Sequence, residues 1–463
     1  MRAFEEFLTG GTAGKDQTLR LLAAGATGST LTTMREKSKS CPSIQLAAVK
    51  DTGFEKGKAT MAMSNDVAVS DGSQYLAAGT FCPSVQSVPL FDIQRQMAPL
   101  RDEIDAAISS VFDSGQFVLG PEVKKLEAKI ATFCQSNFAV GCASGSDALL
   151  LALMAADIGV DDEVIVPSYT FFSTASAVTR VGAKVVFADI EPTTFNIDPT
   201  DVARRITKHT KAIIPVHLFG QCADMNTLCD IARGNDLMMI EDAAQAIGAE
   251  YQGRRAGALG DMGCFSFYPT KNLGGPGDGG ILTCSDERWS DRVSLLRGHG
   301  MRPRYYHQAI GVNSRLDSLQ AAVLNVKLPH LERWTEMRIE NARKYDQLLG
   351  AAGLTDHLEL PVSTVDSRHV WNQYVIRVRG GQRDALRSYL TEAKVGTEIY
   401  YPVPLHRQAC FTDLGYEVGS LPETEKAASE TLALPIFPEL ADEEQRFVVQ
   451  TIAAYFESAR RTG

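Results

Sequence analysis

The sequence predicts an α/β protein: a large domain on a mostly parallel sheet covered by helices on both faces, then a smaller C-terminal α+β domain. Two observations carry this. Between residues 138 and 243, short β-rich apolar runs alternate with helical stretches, as strands joined by crossover helices do. Beyond about residue 346 the chain becomes rich in proline and charge, and one strand-like run and one helical segment stand without that alternation. A length of 463 residues allows about three domains, or two with an appendage. We expect an appendage over 1–87, a large domain over 88–345 and a small domain over 346–463.

The elements follow in order. Residues 1–87 are rich in Gly, Ser and Thr and hold no sustained apolar period, as a linker, a targeting segment or a disordered leader would. Glu5 and Glu6 argue against a transit peptide, which is poor in acid. Amphipathic spacing predicts helices over 97–113 and 121–134. Strands are expected at 138–143, 163–168, 183–190, 211–219 and 237–243, with helices over 147–157 and 225–233. Two further apolar runs, 263–269 and 279–284, frame a glycine-rich loop. A long helix is expected over 314–349, then a strand at 371–378 and a helix over 382–393.

Composition narrows the function. Hydrophobic residues make up 44% and charged residues 22%, ordinary globular usage, and the net charge is −10 with no basic block, which argues against a nucleic-acid or anionic-membrane partner. Nine cysteines without C-x-x-C spacing fit a reduced compartment, and no apolar run approaches the roughly 18 residues of a membrane span. A cytoplasmic location is expected, organelle targeting by residues 1–87 remaining open.

Two motifs are decoys. Gly10 to Asp16 suggests a phosphate loop, but Thr9 stands where its first glycine belongs and Asp16 where magnesium needs Ser or Thr. Gly275, Gly277 and Gly280 match G-x-G-x-x-G but lead into a strand instead of opening a helix after one. Three other features carry chemistry. At Ser144-Gly145-Ser146 a strand gives way to a helix, whose free N–H groups can hold an anion. Asp242 closes a strand at the carboxyl edge of the sheet, where open α/β folds place ligands. Lys271 follows an apolar strand, so burial favours the neutral amine that attacks an aldehyde. Singly these read as a capped turn, a helix cap and a solvated charge. Together they supply what pyridoxal phosphate needs: an anchor for its phosphate, a partner for its ring nitrogen and an amine for its aldehyde.

Six ordered stretches, SGSDALLLAL (144–153), VPSYTFFSTASAV (166–178), EDAAQAIGA (241–249), GDMGCFSFYPTKNLGGPGDGG (260–280), GVNSRLDSLQAAVL (311–324) and YYPVPLH (400–406), resemble the DegT/DnrJ/EryC1/StrS sugar aminotransferases, fold-type I pyridoxal phosphate enzymes. The resemblance runs from Val88 to about Ala459. It implies that Lys271 binds the cofactor aldehyde and later shuttles a proton, and that Asp242 pairs with the ring nitrogen. It gives Gln245 the phenolic oxygen, stacks Phe171 on the ring, and assigns the phosphate to Gly145, Ser146 and Ser266. Asn313 would reach the phosphate of a neighbouring subunit, implying a homodimer with shared sites. Arg315 is a candidate carboxylate clamp or a structural ion pair. Tyr400, Tyr401 and His406 are candidate substrate contacts, Tyr400 standing where many relatives carry His. His217 and His299 read as core or loop residues. No metal ligands are expected.

The activity implied is transfer of an amino group from L-glutamate to a UDP- or dTDP-linked keto-hexose, with a lean to a 3-keto sugar. The alternatives are a pyridoxamine-dependent sugar dehydratase of the same family, disfavoured by Lys271 because that branch carries histidine there, and a non-catalytic regulator that keeps the fold.

Overall fold

The computed structural model describes residues 85–462. The expected appendage therefore lies, up to residue 84, outside the described residues. Asp92 caps α1 (Ile93–Met97) by accepting from the N–H groups of Gln94 and Arg95. Helix α2 (Arg101–Ser114) ends where Gly115 takes a left-handed conformation at φ +64°, and Pro121 opens α3 (Pro121–Phe133), where its missing N–H costs nothing.

Strand β1 (Phe138–Cys142) leads into α4 (Gly145–Ala155). The alternation continues through β2 (Glu163–Pro167), α5 (Ser173–Arg180), β3 (Lys184–Ala188), α6 (Pro199–Arg205), β4 (Thr210–Ile213), α7 (Met225–Gly234) and β5 (Met238–Asp242). A short ribbon, β6 (Glu250–Tyr251) and β7 (Arg254–Arg255), precedes β8 (Met262–Ser266), β9 (Gly280–Cys284) and α8 (Glu287–Leu296). The large sheet has seven strands in the order β1-β9-β8-β5-β4-β2-β3. From β3 to β8 all pairs are parallel; β9 runs against both β8 and β1. Alternate side chains fill opposite faces. Ile165, Ile213 and Phe265 pack toward α3, α7 and α9 (Ser318–Lys327), while Val164, Val166 and Cys264 pack toward α4, α5 and α8.

Two expectations are corrected. The long helix over 314–349 is four pieces: an extended start ending at Asp317; α9, capped by the Asp317 side chain; a 3-10 turn over Leu328–His330; and α10 (Leu331–Ala351). Pro329 has no N–H to continue the ladder. The strand expected at 211–219 ends regular pairing at Ile213, because Pro215 interrupts the donors; the chain keeps a single bridge, Val216 to Asp242, before Phe219 turns at φ +59°.

The second sheet is antiparallel, β10 (Leu358–Glu359), β12 (Tyr374–Val378) and β13 (Thr431–Leu434), with β11 (Ser367–Arg368) joining the β6–β7 ribbon instead. Its core includes residues of α10, α11 (Arg383–Glu392) and α13 (Asp442–Thr462), and Val88 and Val85 pack there too. Helix α12 (Pro422–Glu430) precedes β13. A boundary at 345/346 falls inside α10. No helix among the described residues is long and apolar enough to cross a membrane.

Candidate active site

A cleft of about 610 Å³ opens at the carboxyl ends of β5 and β8 and the N-terminus of α4. Three polar features converge there. Ser144 caps α4, its Oγ accepting from the N–H of Asp147 at 3.1 Å, which leaves the start of the helix, Gly145 and Ser146, facing the cleft. Gly145 lies so near β8 that a Cβ on it would stand 2.7 Å from the Cβ of Ser266. Helix end and strand end thus form one cradle, with helix-terminal N–H groups beside the Ser266 hydroxyl, a donor set suited to a dianionic phosphate.

Asp242 ends β5 and is 4% exposed. Its Oδ2 accepts from Thr174 Oγ1 at 2.7 Å and its Oδ1 from the N–H of Ala244 at 3.2 Å. Burial pushes its pKa up, and the two donors together with the charges of Lys271 and His217 pull it back. Lys271 sits in the turn after β8, half-buried, its N–H bonded to the carbonyl of Tyr268 at 2.9 Å. Burial lowers the pKa of its amine to about 8, against the opposing pull of Asp242. The ammonium still dominates at pH 7, with about a tenth of the amine neutral, far more than in a free lysine, and the neutral form is the one a nucleophilic lysine uses.

Gln245 is held from both sides: Oε1 accepts from the N–H of Phe219 at 2.6 Å, and Nε2 donates to Tyr401 Oη at 3.2 Å. Phe171 is 57% exposed and lines the cleft, its ring 6.1 Å from that of Tyr401. Tyr400 joins it in the wall; burial pushes the phenols of Tyr400 and Tyr401 up, so both stay protonated.

Other candidates lie elsewhere. His406 is 2% exposed and both ring nitrogens are taken, Nδ1 by Ser168 Oγ at 2.7 Å and Nε2 by Glu425 at 3.1 Å, so it braces the loop behind the tyrosines and does not line the cleft. His217 is fully buried: Nδ1 accepts from the N–H of Ala223, and Nε2 faces Glu241 at 3.0 Å. His299 is exposed, its carbonyl accepting from His307 Nδ1. Asn313 is exposed and bridges Gly298 through its backbone, and Arg315 is half-buried with no ion pair among the described residues; neither lines this cleft.

The structure adds residues that sequence reasoning passed over. Thr174 reaches Asp242 from α5, and nothing in a single sequence marks it. Asn272, next to the lysine, is 4% exposed and ties the turn to the second sheet's lead-in through the carbonyl of Val370 and the side chain of Asn372. A second hollow of about 550 Å³, beside α7 and the β6–β7 ribbon, holds none of the site residues.

The model of the DegT/DnrJ/EryC1/StrS aminotransferase family matches residues 99–453. The chain belongs to that family. It is 49% identical over 371 residues to a protein of Geobacillus stearothermophilus named pleiotropic regulatory protein, a match covering 80% of this chain and 99% of the relative. It is 42% identical over 370 residues to the dTDP-3-amino-3,4,6-trideoxy-α-D-glucose transaminase of Streptomyces venezuelae, covering 80% and 96%. Among solved structures, S. venezuelae DesV in complex with a ketimine intermediate superposes with a TM-score of 0.78 at 41% identity, covering 81% of this chain and 99% of that one. The family's enzymes depend on pyridoxal phosphate, and this chain is an aminotransferase of that family with the fold-type I architecture. The cleft fits that cofactor: an anion cradle, a buried carboxylate at a strand end, a desolvated amine and an exposed aromatic face meet in one space.

Proposed function

We propose that this aminotransferase takes its amino group from L-glutamate and delivers it to a UDP- or dTDP-linked 3-keto-hexose. The observation that carries the catalytic part is Lys271, its amine lowered to about 8, in one cleft with Asp242 and the α4 cradle. The substrate class is supported by the similarity to a transaminase named for a 3-amino sugar nucleotide.

In this reading the N–H groups at Gly145 and Ser146 and the hydroxyl of Ser266 hold the cofactor phosphate. Phe171 covers one ring face, Asp242 holds the proton on the ring nitrogen, and Gln245 turns the remaining hydrogen of Nε2 to the phenolic oxygen. The bound cofactor supplies an electron sink for the carbon that loses its proton. Lys271 Nζ would take that proton from the donor's α-carbon, which a neutral amine can do and an ammonium cannot. The tyrosines at 400 and 401 wall the side where substrate enters and exclude water from that transfer. The half-reaction is then run backwards on the ketosugar.

We also infer a homodimer in which the exposed Asn313 reaches the partner's phosphate site, and a cytoplasmic location. The seven described cysteines are all free, and burial pushes the thiols of Cys134 and Cys142 up to about 12, as inert thiols of a reducing compartment.

The test is spectroscopic and then enzymatic. The purified protein should carry a visible cofactor band that L-glutamate bleaches and a ketosugar restores, within a panel of UDP- and dTDP-linked 3-keto and 4-keto hexoses. A band that no amino donor bleaches would sink the aminotransfer reading. Restoration by 4-keto sugars alone would remove the 3-keto assignment.

A further inference from the structure

We propose that Thr174 is a positioning residue for Asp242, and that Thr170 and Thr174 form a two-hydroxyl chain that keeps this carboxylate ionised and fixed in direction. The proposal rests on the reading of Asp242 as partner of the cofactor's ring nitrogen.

Thr174 lies in the first turn of α5 and is fully buried; Thr170, at 2% exposure, precedes that helix and borders the cleft. Thr174 Oγ1 stands 2.7 Å from Asp242 Oδ2, 3.1 Å from Thr170 Oγ1 and 3.2 Å from the carbonyl of Phe171. A hydroxyl has one hydrogen to give. The Phe171 carbonyl already accepts from the backbone N–H of Thr174, and the carboxylate is both nearer and charged, so the hydrogen of Thr174 goes to Asp242. Thr170 must then be the donor in the pair of threonines. Each hydroxyl is polarised by the next, and the direction runs from the cleft wall to the carboxylate.

The device has a purpose that burial creates. A carboxyl at a dry strand end drifts toward its neutral form, and a neutral acid cannot hold a ring nitrogen protonated. The other groups facing Asp242 give limited help. His217, which follows β4, is fully engaged with Ala223 and Glu241. Cys264 on β8 and Tyr401 of the tyrosine loop are kept protonated by burial and carry no charge. Of the two charges that lower its pKa, Lys271 is consumed by the chemistry and His217 is turned to Glu241. The permanent donors are therefore the N–H of Ala244 and the hydroxyl of Thr174. A carboxylate held by two or three donors drops about two pKa units, so one donor is worth on the order of one unit.

Thr174→Val keeps the shape and removes the hydroxyl. A more basic Asp242 draws the ring proton toward itself and leaves the ring less electron-withdrawing. The pH midpoint of the visible band in the holoenzyme should therefore rise by roughly half a unit or more, with kcat falling more than KM for glutamate changes. Thr174→Ser should restore the midpoint, and Thr170→Val should move it less, in the same direction. Asp242→Asn provides the reference. If Asp242→Asn moves the midpoint and Thr174→Val does not, the proposal is overturned while the reading of Asp242 stands; if Asp242→Asn leaves it in place, that reading falls and takes the proposal with it. Should Thr174→Val yield no folded holoenzyme, Thr170→Val decides, an unmoved midpoint overturning the chain of hydroxyls.

Discussion

Gly145→Ala tests the cradle where the fold leaves least room. The new Cβ would stand 2.7 Å from Ser266 Cβ and 3.2 Å from Ser266 Cα, whereas ordinary contact begins at 3.4 Å, so about 0.7 Å must be found between α4 and β8. The obstruction is the root of a side chain on a central strand, which cannot swing aside. Forced methyl groups in packed interiors cost about 1–3 kcal/mol. Relief comes by backing the first turn of α4 away from Ser266, which spreads the phosphate donors. At 1.4 kcal/mol per factor of ten, the expected loss of cofactor affinity is roughly 5- to 150-fold. Titrating cofactor-free protein with pyridoxal phosphate and following the visible band measures it. Gly350→Ala is the control: it lies exposed near the end of α10, its Cβ would meet nothing within 4 Å, and alanine there should raise stability by about 0.5–1 kcal/mol without touching affinity. Unchanged cofactor affinity in Gly145→Ala would refute the assignment of the phosphate to this helix end.

Lys271→Ala should abolish transamination yet leave a folded protein that still binds the cofactor by its phosphate; near-normal turnover without added amine would remove the lysine from the mechanism. Asp242→Asn should cost on the order of 10² to 10⁴ in rate at saturating cofactor, the scale of a positioned acid or base. Deletion of residues 1–84 should leave cofactor content and activity in place, and loss of either would show that the leader matters. For the shared site, a wild-type subunit paired with a Lys271→Ala/Asn313→Ala subunit should fall far below half activity at limiting cofactor. Near-half activity there would mean that both residues serve the same subunit's site.

The alternation that defines the large sheet was legible because strands buried on both faces carry continuous apolar runs, as at 164–166 and 237–240. The reversed strand β9 was not legible, since GGILTC reads the same in either direction. The break at 328–330 was legible in Pro329 and was overridden by the strong helical period on either side. Asp242 and Lys271 could be named because a strand end and a loop glycine cluster fix where they lie. Thr174 and Asn272 could not, since their roles depend on atoms 68 and 98 to 100 residues away, and no local period carries that information.

Lysine burial gives a prediction in which the cofactor takes no part. In the cofactor-free enzyme the amine of Lys271 has its pKa lowered from 10.5 to about 8. Between those values the unfolded chain binds more protons than the native one, so stability rises with pH across that window. Below pH 8 both states are protonated, and the native state carries the full cost of a desolvated ammonium, on the order of a few kcal/mol from a shift of this size. Lys271→Met, which fills the same space without charge, should therefore make the cofactor-free protein more stable than wild type at pH 7. The advantage should shrink as pH climbs from about 8 to 10.5. Lys327 also has its pKa lowered by burial to about 8, but its Nζ donates to the carbonyl of Gly274 at 2.5 Å, so methionine there leaves a buried acceptor unpaired and should destabilise instead. Denaturant midpoints of both variants and wild type at several pH values separate the cases. A Lys271→Met protein no more stable than wild type at pH 7 would mean that the ammonium is solvated, and that the amine needs the cofactor to lose its proton.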